Sequence, residues 1–208
     1  QLDLGNSLFY QRPVLPVVAD ALGNTLWMVI PALILGFLFG VSLGTVHGMA
    51  GGRMLGRILD LISALALSLP SILLGLGALL FAANTHWFPL GGMDSAVRVV
   101  GGFWISSLDR LHHLILPVVC LAIPIFAHVE RIQHSATRSS QREFFVRVAR
   151  SRGLSRRRIF FHYILRPSLN PVVSISGPMF GGVLSGSLVL EVIFAWPGLG
   201  QITYDALF

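Results

Sequence analysis

The chain has 208 residues, of which 54% are hydrophobic and only 12% charged, and its mean hydropathy is +0.75. Soluble domains carry roughly 25% charged residues, so a water-soluble globule, and a soluble enzyme with it, is excluded as a first reading. All 15 basic residues are arginine, which leaves no lysine for a P-loop or a Schiff base, and the single Cys120 forbids an internal disulfide or a CxxC site. A net charge of +6 on so apolar a chain points to the cytoplasmic face of a membrane protein rather than to nucleic acid. The chain opens at Gln1 without an initiator Met or secretory signal pattern and ends at Phe208 inside an apolar stretch. We therefore expect an internal piece of a longer protein.

Thr25 to Val46 is the first uncharged run, 22 residues long. As a helix it reaches about 33 Å, enough for a hydrocarbon core of roughly 30 Å. Leu61–Ala83 is the second run. Leu111–Val129 is the third and contains Pro117 and Pro124. Pro167–Leu190 is the fourth, rich in Ser, Gly and Pro, as suits a helix packed among helices. The fold class is all-α, a polytopic membrane helical bundle with spans near 25–46, 61–83, 111–129 and 167–190.

Arginines set the orientation. Segments 47–60 and 130–166 hold 12 of the 15: Arg53, Arg57, Arg131 and the nine from Arg138 to Arg166. Arg12, Arg98 and Arg110 fall on the other side. By the positive-inside rule 47–60 and 130–166 are cytoplasmic. Gly36, Gly40 and Gly44 lie four apart on one helix face, as do Gly177 with Gly181 and Gly182 with Gly186. Such faces let helix backbones meet, between subunits or within a bundle.

Segment 130–166 is polar and basic but carries an apolar pattern. Phe144, Phe145 and Val148 share a helical stripe, with Arg147 and Arg150 at its flanks. Glu143 suits the helix start and Gly153 the left-handed stop. Ser155 caps a second stretch that carries Ile159, Phe160, Tyr163 and Ile164 and ends before Pro167. A short amphipathic helix, a glycine turn and a second helix thus lead into the fourth span. A basic helix on anionic headgroups and a plug seated in a partner's groove both fit this pattern.

The string from Glu143 to Pro171, EFFVRVARSRGLSRRRIFFHYILRPSLNP, resembles the cytoplasmic loop of ABC-importer permeases, and more narrowly that of permeases for dipeptides, oligopeptides and nickel. Ala149, Gly153, Leu154 and Ser155 match the family's loop pattern, and Arg166 and Pro171 its lead into the next span. Glu191 to Gly200, EVIFAWPGLG, is similar to the family's outer-side segment, through Glu191, Trp196, Pro197, Gly198 and Gly200. Asp3-Leu4-Gly5-Asn6-Ser7 with Arg12-Pro13-Val14, and Ser68-Leu69-Pro70-Ser71, extend the resemblance over nearly the whole chain. It departs from the family at Arg147 and Val148, where an acid and an alanine are usual, at Ser151 and at Pro167. These bear on the fit to an ATPase.

The resemblance implies a type I importer permease with about six spans, four of them visible here, in the bacterial inner membrane. It implies a second homologous permease subunit, two cytoplasmic ATPase subunits and an extracytoplasmic substrate-binding protein as partners, besides membrane lipid. Glu143, Phe144, Phe145, Val148, Ala149, Gly153, Leu154 and Ser155 would then engage the ATPase. Segments 84–110 and 191–208 would receive the binding protein, with Trp87, Phe88, Phe103 and Trp104 as a membrane belt. No cofactor and no nucleic acid are expected.

Other features add little. His86, His112 and His113 show no metal-site spacing, and adjacent His112 and His113 point to different sides of a helix. Glu130 and Glu191 read as span-end charges, which leaves no mid-span charge for a proton relay. That argues against a self-contained secondary transporter, the alternative reading. The absence of HExxH or GxSxG strings argues against a membrane hydrolase.

Overall fold

The computed structural model describes residues 5–7, 9–50, 54–94 and 103–207, with the backbone alone for 103–106. Asp3, Leu4, Arg53 and Arg98 lie outside the described residues, as do the side chains of Phe103 and Trp104. Among the described residues the only pairing of extended backbone is an isolated bridge between Asn6 and Pro13. Everything else is helix or turn.

The apolar runs do fold as helices, but their limits follow helix chemistry rather than the absence of charge. Helix α1 (Val14–Ala50) is 37 residues long and takes in Asp20 and His47. The second run is two helices, α2 (Met54–Ser68) and α3 (Ser71–Thr85), bent by 100°. The break falls at Pro70, whose φ of −59° and ψ of 144° are extended. Proline donates no hydrogen bond, and Leu69 before it is pushed out of the helical region. Helix α4 (Phe103–Arg142) is 40 residues long and passes through Pro117 and Pro124. It also absorbs the first third of the expected polar loop, because Arg and Gln are good helix formers and nothing before Glu143 stops the turn.

Then come α5 (Phe144–Ser151), α6 (Arg156–Arg158), a π-helix (Ile159–Leu165), α7 (Arg166–Ser168), α8 (Asn170–Ile193) and α9 (Leu199–Leu207). The segments Val14–Ala50, Ser107–Arg142 and Arg156–Ile193 are long and apolar enough to cross a membrane. The bent α2–α3 pair makes a fourth crossing if it counts as one span.

Two compact units divide these helices: residues up to Ala32 with Pro70–Leu121 and Gly182 onward, and Leu33–Leu69 with Ala122–Gly181. In the second, α1 lies against α4 along a ladder of glycines. A Cβ on Gly40 would stand 2.7 Å from Val129 Cβ, one on Gly44 2.6 Å from the Glu130 carbonyl oxygen, and one on Gly48 2.7 Å from Thr137 Cβ. Gly36 meets Ile125 in the same way. Carbon atoms rest at about 3.5–4.0 Å, so only glycine permits this approach. The stripe of small residues on α1 is thus a contact within the chain, extended by Gly48. Gly177, Gly181, Gly182 and Gly186 on α8 instead meet nothing within 4 Å.

Gln133 ties the same unit through polar contacts. Its amide nitrogen reaches the hydroxyl oxygens of Thr45, Thr137 and Ser168 at 2.9, 3.1 and 3.0 Å. In the first unit, Gly75 of α3 lies where a Cβ would stand 2.9 Å from Leu190 Cδ2. Met28, Val29, Leu190 and Trp196 are buried there.

Candidate functional site

Glu143 opens α5 in an extended conformation (φ −62°, ψ 146°) without a side-chain cap, its carbonyl accepting from the Val146 and Arg147 N–H groups at 3.1 and 3.4 Å. The helix buries Val146 and Ala149, which pack with Ile159 and Ile164 and are covered by Leu154 and Tyr163. Phe144, 70% exposed, and Phe145, 40% exposed, turn outward. With Val148, Ala149, Arg152, Leu154, Arg158 and Tyr163 they line an open groove of about 430 Å³. The Arg147 guanidinium stands 5.8 Å from the Phe144 ring centroid, a cation–π distance. The spacing of Phe144, Phe145 and Val148 therefore marks the outward face. The inward anchor is Val146 with Ala149, an i, i+3 pair that the sequence offers but that the two phenylalanines outshine.

Gly153 has φ +72°, the left-handed conformation that other L-residues adopt at a cost of about 1–2 kcal/mol. Its N–H donates to the Arg150 carbonyl at 3.0 Å, and Leu154 N–H to Ala149 O at 3.3 Å, closing α5. Ser155 Oγ accepts from Arg158 N–H at 3.4 Å and caps the next helix. The eight residues from Glu143 to Ser155 singled out from the sequence thus lie together in one short hairpin.

At the other end, Glu191, Trp196, Pro197, Gly198 and Gly200 form a buried latch instead of an open loop. Glu191 is fully buried. Its carboxylate accepts from Gly200 N–H at 2.6 Å and from Ser187 Oγ at 3.0 Å. The Trp196 indole donates to Asn24 O at 2.8 Å, Asn24 Nδ2 to Pro197 O at 2.8 Å, and Leu199 N–H to Thr25 Oγ1 at 2.9 Å. Gly198 fits because a Cβ there would stand 2.6 Å from both the Glu191 Cδ and the Thr25 hydroxyl. Asn24 and Thr25 belong to this site, and no local pattern announces them. Nearby, the Tyr10 phenol donates to Asp205 at 2.7 Å, which pushes its pKa up to about 12.

The reading of Glu130 and Glu191 as cheap span-end charges is corrected. Each is about 1% exposed or less, inside α4 and α8. Glu130 Oε1 lies 2.6 Å from His47 Nδ1 and its Oε2 accepts from Ser63 Oγ at 2.6 Å. Hydrogen bonds to both oxygens make this burial tolerable. By contrast, His112 Nε2 meets the Trp87 carbonyl at 2.9 Å and His113 Nδ1 the Asp109 carbonyl at 2.9 Å, so the adjacent pair diverges.

Against known proteins, the model for the family described as "Binding-protein-dependent transport system inner membrane component" matches residues 36–208. The oligopeptide transport system permease protein AppB of Bacillus subtilis (strain 168) is 31% identical over 210 residues, covering 100% of this chain and 65% of that protein. The glutathione transport system permease protein GsiC of Salmonella choleraesuis (strain SC-B67) is 30% identical over 208 residues, covering 100% of this chain and 63% of its own length. The chain thus spans just under two thirds of these relatives. A solved structure of the MetNI methionine ABC transporter in inward-facing conformations superposes with a TM-score of 0.69 at 17% identity, over 92% of this chain and 81% of that one. At that identity the likeness is one of fold: a polytopic bundle of helices.

Proposed function

Because the chain belongs to the family of binding-protein-dependent transport system inner membrane components, we propose that it is a permease subunit of an ATP-driven importer. It is a multi-pass inner-membrane protein. In this reading it forms the path for a peptide or related small solute, nickel included, delivered by an extracytoplasmic binding protein. A second homologous permease completes the path, and ATP is hydrolysed on two cytoplasmic subunits. Segment 130–166 faces the cytoplasm. The open glycine pairs of α8, Gly177 with Gly181 and Gly182 with Gly186, offer small-residue surfaces that suit a second permease.

The observation that carries the reading is α5. It is an eight-residue helix held from behind by Val146 and Ala149 and presenting Phe144, 70% exposed, and Phe145, 40% exposed, on its outer face. Burying two such rings in an ATPase cleft contributes on the order of 3 kcal/mol. Arg147, Arg152 and Arg158 at the rim add about 0–1 kcal/mol each and fix orientation. Gly153 lets the chain reverse beneath that cleft. The secondary-transporter alternative loses its former counter-argument, since Glu130 is a buried charge. Its stronger opponent is family membership.

The test uses the full-length protein. It should co-purify with an ATP-hydrolysing subunit and a second permease, and the ATPase activity of the reconstituted complex should rise with a ligand-loaded binding protein. Gly153→Asp should insert normally and lose transport. Transport by the purified chain without any ATPase, or full transport by Gly153→Asp, refutes the proposal.

A further inference from the structure

Three helices of the second unit bring metal-ligating side chains together in a place that neither the α5 hairpin nor the latch uses. His47 comes from the last turn of α1, Asp60 and Ser63 from α2, and Glu130 and His134, one turn apart, from α4. His47 and Glu130 are buried and His134 is half-buried. One ligand atom from each of His47, Glu130 and His134 lies within 4.8 Å of the others. The two imidazole rings stack with centroids 3.7 Å apart and planes 9° from parallel. Asp60 Oδ2 stands 3.7 Å from His47 Nε2, with its side chain 63% exposed.

We propose that His47, Glu130 and His134 bind a divalent first-row cation, Zn²⁺ or a close relative, with Asp60 beside the other ring nitrogen of His47 as an outer partner. Two imidazoles and a carboxylate are the donor set that such ions take, and bonds of about 2.0–2.2 Å put tetrahedral ligands roughly 3.3–3.6 Å apart. The ligand atoms need to close by about an ångström, within the reach of side-chain rotation. His47 Nδ1 and Glu130 Oε1, 2.6 Å apart, now share a hydrogen. The ion takes that hydrogen's place and the pair opens slightly. Ser63 goes on holding Oε2, the kind of outer partner that orients a ligand.

Charge favours occupation. The carboxylates of Glu130 and Asp60 present negative charge to an ion at the imidazoles, Glu130 from a buried position, against the opposing charge of Arg138 near His134. The ion would clip α1, α2 and α4 together in the unit that also carries α5. Binding is independent of the transport reading.

The experiment takes the full-length protein in lipid nanodiscs, freed of any affinity tag, and equilibrates it with Zn²⁺ or Co²⁺. About one equivalent of Zn²⁺ should survive dialysis, and Co²⁺ should give visible d–d absorption of a low-coordinate site. His134→Ala alters a half-buried ring and is expected to fold; it should weaken binding by at least about tenfold, and Asp60→Asn by about tenfold. His128→Ala, at an exposed position, should bind as the parent does. Absence of a stoichiometric ion in the parent, or unchanged affinity in a folded His134→Ala, overturns the site and shows the cluster to be a closed hydrogen-bond network.

Discussion

Substituting Gly40 by alanine probes one of the four close glycine contacts between α1 and α4. The new Cβ would stand 2.7 and 2.8 Å from Val129 Cβ and Cγ1 and 3.1 Å from the Phe126 carbonyl oxygen. Comfortable separations are about 3.5–4.0 Å, so α1 has to withdraw from α4 by about 1 Å. Overpacking of this kind costs about 1–3 kcal/mol, and the retreat also loosens the contacts at Gly36, Gly44 and Gly48. Alanine returns up to about 1 kcal/mol in helix propensity. The net destabilisation expected is about 1–2 kcal/mol, a five- to thirty-fold fall in the folded-to-unfolded ratio. Gly181→Ala is the control, since its Cβ would meet nothing within 4 Å and only the propensity gain applies. Reversible unfolding of the isolated chain in mixed micelles, followed by circular dichroism across a dodecyl sulfate titration, reads both. Equal shifts for the two variants, or a stabilised Gly40→Ala, would refute the reasoning.

Glu191→Gln leaves Gly200 N–H or Ser187 Oγ facing an amide instead of a carboxylate oxygen. It should cost about 1–3 kcal/mol, seen as a lower melting temperature. Val146→Ala removes two methyl groups from a fully buried position and should destabilise by about 1–3 kcal/mol. Phe144→Ala, on the exposed face, should leave the melting curve unchanged and weaken ATPase binding; the reverse ranking would mean that the faces of α5 are misassigned. For Tyr10 the folded pKa, about 12, lies above the unfolded 10.0. The contribution of its bond to Asp205 is therefore complete below pH 10 and lost as pH rises through 12. Melting temperatures from pH 9 to 12 should show this loss in the parent and not in Tyr10→Phe.

Local chemistry made much of this legible. The glycine stop at residue 153 and the Ser155 cap are local and read from the sequence, whereas the small stripe on α1 reads as a packing face without its partner, which the structure shows to be α4. Where partners are distant the sequence is silent. Glu130 looks like a span-end charge because His47 and Ser63, which hold it, lie 83 and 67 residues away. Asn24 and Thr25 look like ordinary polar residues until Trp196 and Leu199 arrive. Charge also misled as a boundary marker: α4 continues to Arg142 because arginine does not end a helix, whereas uncharged Leu69-Pro70 does. In α5 the largest apolar side chains lie on the outer face, and Val146 with Ala149 supplies the anchor against Ile159 and Ile164.

The latch has a consequence for biosynthesis. Trp196 pairs with Asn24 across 172 residues and Leu199 with Thr25 across 174. At about 5–20 residues per second, the ribosome needs roughly 10–35 s to supply what the beginning of the first helix lacks. During that interval the Asn24 carbonyl and the Thr25 hydroxyl are without their final partners. Synthesis past residue 199 therefore closes a circuit between two helices made far apart in time. A polypeptide released before residue 199 is left with an unsealed polar seam at Asn24 and Thr25.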